Sequence, residues 1–345
     1  MSQSLSPTRP FPAAIAGVFD RLGNVFPGLF LVLILTAAAY GLRGLPGFAA
    51  LSPMILGVVM GVVLCNVAPP SDRVKPGIAV AGKGLLRAGV ALLGLQVSLG
   101  QIAGIGVWGL TSVAVALFST FFFTLWMGRL LRVPAPLATL IAAGTSVCGA
   151  AAIAGANSAT RASDAQVTYA ITAITLFGTI AMLTYPLIGQ AFGMDSVTYG
   201  TWIGLSVHEV AQVVGAGFQG GDMAGQTAVI TKIARVVLLA VLVMGLALRL
   251  RGTAGEGAGA KRPPLVPFFV IAFLGLSALN SMGFVPQIAQ DASRVMTPVL
   301  LTISLSALGL GTRLDTLRSL GLRPMVLCGL ASLFIATLSF LLAAA

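Results

Sequence analysis

The sequence predicts an all-α polytopic membrane protein with about eleven transmembrane helices. Of its 345 residues, 57% are hydrophobic and only 8% are charged, and the mean hydropathy is +1.00. Eleven apolar segments approach the roughly 20 residues that a helix needs to cross a bilayer. A chain of this composition folds in lipid rather than around a water-facing core.

Polar or proline-containing connections separate the apolar segments. The predicted spans cover residues 26–42, 53–67, 78–99, 102–130, 140–155, 167–192, 197–218, 224–248, 265–284, 295–311 and 325–344. Residues 1–25 are predicted to form a cytoplasmic tail, because the first apolar run is too long for a cleaved signal peptide. Residues 26–345 form the predicted transmembrane domain, with a Gly-, Ala- and charge-rich linker at 249–264.

The distribution of basic residues predicts the orientation, because Lys and Arg collect in cytoplasmic loops. With the N-terminus inside, the outer loops hold only Arg43, Arg161 and Arg294. The cytoplasmic segments hold Arg9, Arg21, Arg73, Lys75, Arg129, Arg132, Arg249, Arg251, Lys261, Arg262, Arg313, Arg318 and Arg323. We therefore predict a cytoplasmic N-terminus and an external C-terminus, and we assign the net charge of +11 to topology rather than to nucleic acid.

Several kinds of site are excluded by residue counts. Cys65, Cys148 and Cys328 lie far apart within apolar segments, so neither a disulfide framework nor a zinc site is predicted. One histidine cannot form a multi-histidine metal centre. No Walker A pattern is present, so ATP is not expected to drive the protein directly.

Two discontinuous helices are predicted from an internal repeat. After the first span, the remaining ten divide into five and five, about 53–192 and about 197–345, and an odd number of crossings inserts the second unit upside down. The fourth helix of each unit, 140–155 and 297–311, is interrupted by small and hydroxyl residues. The second helix of each unit carries two cations, Lys83 and Arg87 in one and Lys232 and Arg235 in the other.

The segment 140–155 has the composition of a broken transporter helix. Gly144 and Gly149 weaken the helix, while Thr145, Ser146 and Cys148 can satisfy freed backbone groups or contact a polar solute. The same small residues also suit a tight helix–helix contact, and the composition alone does not separate these two interpretations.

The four cations within spans each cost about 2.5–3.5 kcal/mol to insert, so they need a reason to be there. Glu209 is their only acidic companion within a span, and the surplus of positive charge favours an anion pathway. Alternatively, Lys83 and Arg87 snorkel to the headgroups. Glu209 either pairs with Lys232 or Arg235 or carries a coupling proton.

His208 is the only side chain here that titrates near neutral pH without perturbation, which suits either proton coupling or a satisfied interior hydrogen bond. On a continuous helix, His208 and Gln212 share one face, whereas His208 and Glu209 point about 100 degrees apart.

Four motifs resemble one known family. They are GTSVCGAAAI at 144–153, LFGTIAM at 176–182 followed by Tyr185-Pro186, GLSVHEVAQV at 204–213 and KIARV at 232–236. Together they resemble the YeiH-type family of bacterial inner-membrane proteins, to which sulfate export linked to sulfonate breakdown is ascribed. The resemblance implies kinship with sodium/proton antiporter-like and bile-acid-symporter-like transporters. It also implies a core of spans four to six and nine to eleven, faced by a scaffold that carries the cationic and His-Glu helices.

We therefore predict a secondary transporter of a small anion, sulfate first, in the bacterial inner membrane. Thr145, Ser146, Cys148, Gly149, Ser304 and Ser306 are the predicted substrate contacts, with charge from Lys232 and Arg235. His208, Glu209, Gln212, Lys83 and Arg87 are predicted to couple or to support the structure. A proton or a sodium ion is the expected coupling ion, no cofactor or metal is expected, and a homodimer is left open.

Three other functions compete with this prediction. Sodium- or proton-coupled transport of a sulfonate or another organic anion fits the same charges. An intramembrane enzyme using Cys148 or His208 is disfavoured, because no nucleophile–base pair is visible. A membrane receptor would not need paired buried cations.

Overall fold

A computed structural model describes residues 11–46, 48, 51–160, 162–250, 268–313, 315 and 321–345, and the regular structure of this part is helical. The helices are α1 Phe11–Arg43, α2 Pro53–Val67, α3 Lys75–Ala79, α4 Leu86–Leu93, α5 Leu99–Ala103, α6 Gly106–Leu130, α7 Ala135–Ser146, α8 Ala150–Thr160, α9 Asp164–Ala191, α10 Ser196–Ser206, α11 Val210–Gly217, α12 Asp222–Leu250, α13 Phe268–Ser281, α14 Gln287–Leu310 and α15 Leu322–Ala344. A π-helical turn, Val80–Leu85, joins α3 to α4.

Within the described residues, 6 helices are long and apolar enough to cross a bilayer, which confirms the predicted class of helical membrane protein. They are Gly23–Arg43, Lys75–Gln96, Gly106–Leu130, Asp164–Ala191, Gln287–Leu310 and Leu322–Ala344. Helix α1 begins at Phe11, inside the predicted tail, whereas residues 1–10 and the predicted linker beyond Leu250 lie outside the described residues.

Helices α9 and α15 run side by side in the same direction. Near their beginnings, the hydroxyl of Tyr169 donates to the carbonyl of Gly321 at 3.1 Å. Near their ends, the rings of Phe192 and Phe340 lie 5.4 Å apart. The two helices therefore begin at one end of the bundle, here called the lower end, and finish at the other, the upper end.

Helix α6 runs antiparallel to α15. The ring of Phe123 stacks on Phe334 at 4.1 Å, and further along α6 the backbone of Gly128 faces Leu327 near the beginning of α15. Helix α6 therefore ends at the lower end, where α9 begins. The chain between them, helices α7 and α8, enters and leaves at the lower end, and we call this re-entrant pair hairpin 1.

Helices α10 and α11 form a second re-entrant pair, hairpin 2, inserted from the upper end. Gly200 on α10 and Gly217 on α11 both lie against Ala224 in the first turn of α12. The hydroxyl of Tyr199 donates to the carbonyl of Ala216 across the pair at 2.9 Å. Since α10 follows directly after the upper end of α9, both arms of hairpin 2 reach that end, and α12 begins there.

The prediction of eleven crossings is therefore wrong at the fifth and seventh spans, because each folds back instead of crossing. The number of passages remains odd, so α1 begins and α15 ends at opposite ends of the bundle. Which end faces the cytoplasm stays a prediction, with the lower end assigned to it.

The predicted break at 297–311 is also wrong, since α14 is one continuous helix. Its small residues serve close packing: Gly309 lies against the backbone of Val58 and Gly61 on α2. The second break lies instead at 207–209 in hairpin 2. The matched-break argument for a five-plus-five repeat is lost, and the boundaries 53–192 and 197–345 remain a prediction.

The helices form two groups. Helix α14 packs against α2, α4 and the π-helical turn, α1 packs against α2 and α3, and α13 packs against α4. Both hairpins, α12 and α15 pack with α6 and α9 in the second group. The core implied by the family resemblance is therefore corrected. Helix α12, which carries Lys232 and Arg235, and the His-Glu hairpin pack in the same group as hairpin 1, whereas α13, α14 and the segment with Lys83 and Arg87 form the other group.

Candidate functional site

The tips of the two hairpins meet inside the bundle, and Lys232 on α12 joins them. We define tip 1 as residues 147–149 and tip 2 as residues 207–209. The ammonium of Lys232 donates to the carbonyl of Val147 in tip 1 at 2.8 Å and to that of Val207 in tip 2 at 2.7 Å. Lys232 lies roughly 15 Å from the first residue of α12, at 1.5 Å per residue, so the tips meet well inside the bundle.

Arg235, one turn further along α12, binds the ends of two helices. Its Nη2 donates to the carbonyls of Thr145 at 3.0 Å and Ser146 at 2.8 Å, at the end of α7. Its Nη1 donates to the carbonyls of Gly204 at 3.2 Å and Leu205, at the end of α10. One guanidinium therefore connects the inner ends of both hairpins' first arms.

The two cations fit this position for a common electrostatic reason. The last carbonyls of a helix lack partners within it, and that end carries partial negative charge. Lys232 and Arg235 are each 0% exposed, and their hydrogen bonds go to backbone carbonyls of helix ends and tips. The charges are thus compensated without a carboxylate, while a direct contact with substrate stays a prediction.

Glu209 in tip 2 reaches across to hairpin 1. Its carboxylate accepts from the hydroxyl of Thr175 on α9 at 3.1 Å and from the backbone N–H of Ala150, the first residue of α8. Among the described residues it forms no ion pair with Lys232 or Arg235, so the predicted pairing is corrected. Lys232 and Arg235 donate to backbone carbonyls instead, whereas the N-terminus of α8 offers Glu209 a hydrogen-bond donor and partial positive charge.

Gly149 in tip 1 permits this approach. Its φ of +70 degrees lies in the left-handed region that favours glycine. A Cβ at Gly149 would lie 2.6 Å from Cγ of Glu209, which is too close for a carbon–carbon contact. The glycine therefore provides both the turn of tip 1 and the space for Glu209.

His208 points to α15 and has one defined tautomer. Its Nε2 lies 2.8 Å from the hydroxyl of Ser332, and that hydroxyl donates to the carbonyl of Cys328 at 2.7 Å. Because Ser332 has one proton to give, Nε2 of a neutral His208 must carry the proton in this contact. Nδ1 then has a lone pair, and it is buried without a hydrogen-bond partner in the described part of the chain.

Gln212 does not share a face with His208, because the helix begins only at Val210. Its amide donates instead to the carbonyl of Thr175 at 2.9 Å, and its Oε1 accepts from the backbone of Glu209 at 3.2 Å. Gln212 therefore supports Glu209, and the predicted His208–Gln212 face is wrong.

The predicted hydroxyl contacts are turned back onto their own helices. Each donates to the carbonyl four residues earlier: Thr145 to Ile141, Ser146 to Ala142, Ser304 to Leu300 and Ser306 to Thr302. Thr145 and Ser146 lie beside tip 1, where Cys148 and Gly149 also lie. Ser304 and Ser306 belong to α14 in the other helix group.

Lys83 and Arg87 are both exposed, and Lys83 lies within the π-helical turn. The charge of Lys83 acts on the carboxylate of Glu209, so this lysine belongs to the electrostatic surroundings of the tips. Single π-helical turns are frequent at functional sites. For Arg87 the structure shows exposure only.

Thr175 and Ser332 were not predicted as site residues. Thr175 immediately precedes the motif at 176–182, and a hydroxyl residue within an apolar segment was the available signal. In the part of the chain described, no three His, Cys, Asp or Glu side chains come together as a metal site would require.

Comparisons with known proteins agree with a membrane family. The family described as "Conserved hypothetical protein 698" matches residues 27–328. The UPF0324 membrane protein TauZ of Paracoccus denitrificans is 35% identical over 90% of this chain and 92% of its own. The UPF0324 inner membrane protein YeiH of Escherichia coli K12 is 33% identical over 89% of this chain and 90% of its own. A UPF0324 membrane protein of Corynebacterium glutamicum is 34% identical over 94% of this chain and 92% of its own. This chain therefore belongs to the family described as "Conserved hypothetical protein 698", and its relatives are UPF0324 membrane proteins.

Proposed function

We propose that this protein is a secondary active transporter of a small anion, with sulfate as the first candidate, working by alternating access around the hairpin tips. The observation that carries the proposal is the meeting of two oppositely inserted hairpins at Lys232, inside the bundle. Discontinuous helices that meet at depth are typical of transporter binding sites. The inner-membrane relative supports a bacterial inner-membrane location.

The charge at the tips favours an anion over a cation. Lys232 and Arg235 offset the negative ends of α7 and α10. The positive end of α8, which holds the carboxylate of Glu209, and the exposed Lys83 can therefore act on an anion. Oxyanions bind readily at helix N-termini. The site would thus attract a small oxyanion, and we propose no enzymatic role.

The alternative is proton- or sodium-coupled transport of a sulfonate or another organic anion. It is supported by Glu209, a carboxylate among cations that has no ion-pair partner in the described part of the chain. The same site geometry suits both candidates, because a sulfonate group and sulfate both present oxygens in a tetrahedral arrangement around sulfur. The two therefore differ in substrate and not in the residues involved.

Transport by the purified protein in liposomes tests the proposal. Uptake of radiolabelled sulfate is followed against a pH gradient, with methanesulfonate, taurine and acetate as competitors. We expect saturable sulfate flux that falls several-fold in Lys83→Gln. Lys75→Gln is the matched control, because Lys75 is exposed near the same helical segment and pairs with Asp72.

Each other outcome has a defined meaning. No sulfate flux by folded protein would sink the sulfate assignment, and flux of a sulfonate in its place would support the alternative. Equal flux in Lys83→Gln and wild type would exclude Lys83 from the anion's path. Absence of flux for every anion would contradict transport of anions altogether.

A further inference from the structure

We propose that the carboxylate of Glu209 is a tethered anion that occupies the substrate site, and that protonation releases it so that the transported oxyanion can take its place. The inference rests on the proposed function, because it assigns the coupling step of that same site. It makes Glu209 the proton-coupling residue.

Glu209 already shows how the site holds an oxyanion. Its carboxylate oxygens use the N–H of Ala150 and the hydroxyl of Thr175, two donors from two different helices. Both donors belong to hairpin 1 and α9, whereas Glu209 belongs to hairpin 2. A free sulfate or sulfonate would use the same donors, so substrate and carboxylate compete for them.

The side chain can leave this position, because it is partly exposed while its neighbours Lys232 and His208 are buried. Gly149 leaves the approach open, since it has no side chain beside Glu209. The backbone of Glu209 is held by Gln212 at 3.2 Å, so release requires rotation of the side chain and no unfolding of tip 2.

The surroundings single out Glu209 as the group that exchanges the proton. The charges of Lys232 on α12 and of Lys83 in the other helix group act on it, Cys148 lies in tip 1, and His208 precedes it in tip 2. His208 is 1% exposed and bonded through Nε2 to Ser332. Glu209 is the one carboxylate among these groups.

The charge balance follows from the exchange. Each carboxylate that leaves the donors takes one proton from water, and one anion enters; the reverse exchange returns the proton to water on the other side. One proton thus travels with each anion, and a dianion such as sulfate carries one net negative charge per cycle. A membrane potential that is negative inside then favours outward movement of sulfate.

The variant Glu209→Gln separates coupling from binding. Glutamine keeps the size of the side chain but has no proton to exchange. In liposomes loaded with sulfate, we expect the variant to retain sulfate–sulfate counterflow while flux driven by a pH gradient is lost. Asp222→Asn, which changes an exposed acid at the start of α12, is the matched control and keeps both activities.

Anion binding in detergent gives a readout that does not depend on transport. Anions should raise the temperature of unfolding of the wild type, and their apparent affinity should rise by up to about tenfold per unit fall in pH while Glu209 is ionised. In Glu209→Gln the affinity should be independent of pH. Sulfate, methanesulfonate and acetate serve as probes.

The outcomes separate the two proposals. One outcome is a wild type that shows no flux and yet is stabilised by an anion in a pH-dependent way, with the pH dependence lost in Glu209→Gln. That result contradicts sulfate transport but supports competition between Glu209 and the anion. Normal gradient-driven flux in Glu209→Gln overturns the role of Glu209 and leaves transport standing. Loss of counterflow in the folded variant, or binding with unchanged pH dependence, also overturns it.

Discussion

Gly149 and Glu209 lie against each other at the meeting point of the two hairpins, and the contact leaves no room for a Cβ on Gly149. Gly149 forms the left-handed turn of tip 1, and Glu209 is the only charged side chain of tip 2. Because each tip is built around the other, a change in one is expected to disturb both.

Gly149→Ala should therefore destabilise the protein strongly. A left-handed alanine costs about 1–2 kcal/mol, and overpacking adds about 1–3 kcal/mol. We expect a clear fall in the midpoint of thermal unfolding in detergent, together with loss of anion flux. Gly106→Ala is the control, since Gly106 has φ +60 degrees but a Cβ added there would meet nothing within 4 Å. Equal effects of the two substitutions would show that the contact with Glu209 is unimportant.

Replacing Arg235 should be more damaging than replacing Lys232. Arg235→Met leaves carbonyls at the ends of both α7 and α10 without donors, and each buried unsatisfied group costs about 1–3 kcal/mol. Lys232→Met leaves only the carbonyl of Val147 without a donor, because the carbonyl of Val207 keeps a contact with Nη1 of Arg235 at 3.4 Å. Arg235→Lys should not restore stability, because an ammonium lacks the fork that spans two helix ends.

Thermal unfolding in detergent ranks these variants, with Lys75→Met as an exposed control that should behave as wild type. A rescue by Arg235→Lys would argue that charge alone matters and that the bridging geometry does not. Stability of Arg235→Met equal to that of wild type would contradict the capping role altogether.

The break at tip 1 could be predicted from sequence, whereas the break at tip 2 could not. The two helix-weakening glycines, Gly144 and Gly149, are enough to predict the first break. Val207, His208 and Glu209 include no helix breaker, and this break depends on partners far away in the chain, such as Lys232 and Ser332. Conversely, the small and hydroxyl residues at 297–311 predicted a break, whereas α14 is continuous and packs closely against α2.

The sequence also could not predict that both hairpins are re-entrant, because this again depends on contacts between distant parts of the chain. Two arms of 12 and 11 residues, α7 and α8, have together the apolar length of one crossing helix. The distribution of basic residues gave no warning, because the α8–α9 connection holds the single basic residue Arg161. Only contacts distant in sequence, such as Tyr169 with Gly321, separate a return from a crossing.

The tautomer of His208 can be observed directly, because the chain has 1 histidine. Selective ¹⁵N-histidine labelling gives a spectrum of this residue alone, and we expect a neutral ring with the proton on Nε2. In Ser332→Ala the Nε2–H loses its acceptor, so the resonances should shift or broaden and stability should fall by about 1–3 kcal/mol.

Ser339→Ala is the matched control, since Ser339 is buried on the same helix and its hydroxyl has no partner in the described residues. It should leave the histidine spectrum unchanged. A protonated Nδ1 in the wild type would contradict the assignment of Ser332 as the acceptor.

The re-entrant topology makes a prediction that labelling of single cysteines can check. The native Cys65, Cys148 and Cys328 are buried, so they should react little with a membrane-impermeant thiol reagent in intact cells. After their replacement by alanine or serine, Ser196→Cys and Met223→Cys should react from one side of the membrane. Both positions are exposed, and they flank hairpin 2.

Ala135→Cys and Ala165→Cys, the exposed positions that flank hairpin 1, should react together from the other side. If each hairpin crossed the membrane, the two positions of a pair would react from opposite sides. The side on which each pair reacts also decides the orientation, because the distribution of Lys and Arg assigns the ends of hairpin 1 to the cytoplasm. Labelling of 196 and 223 from outside, with 135 and 165 reactive only after permeabilisation, would establish the topology and the orientation together.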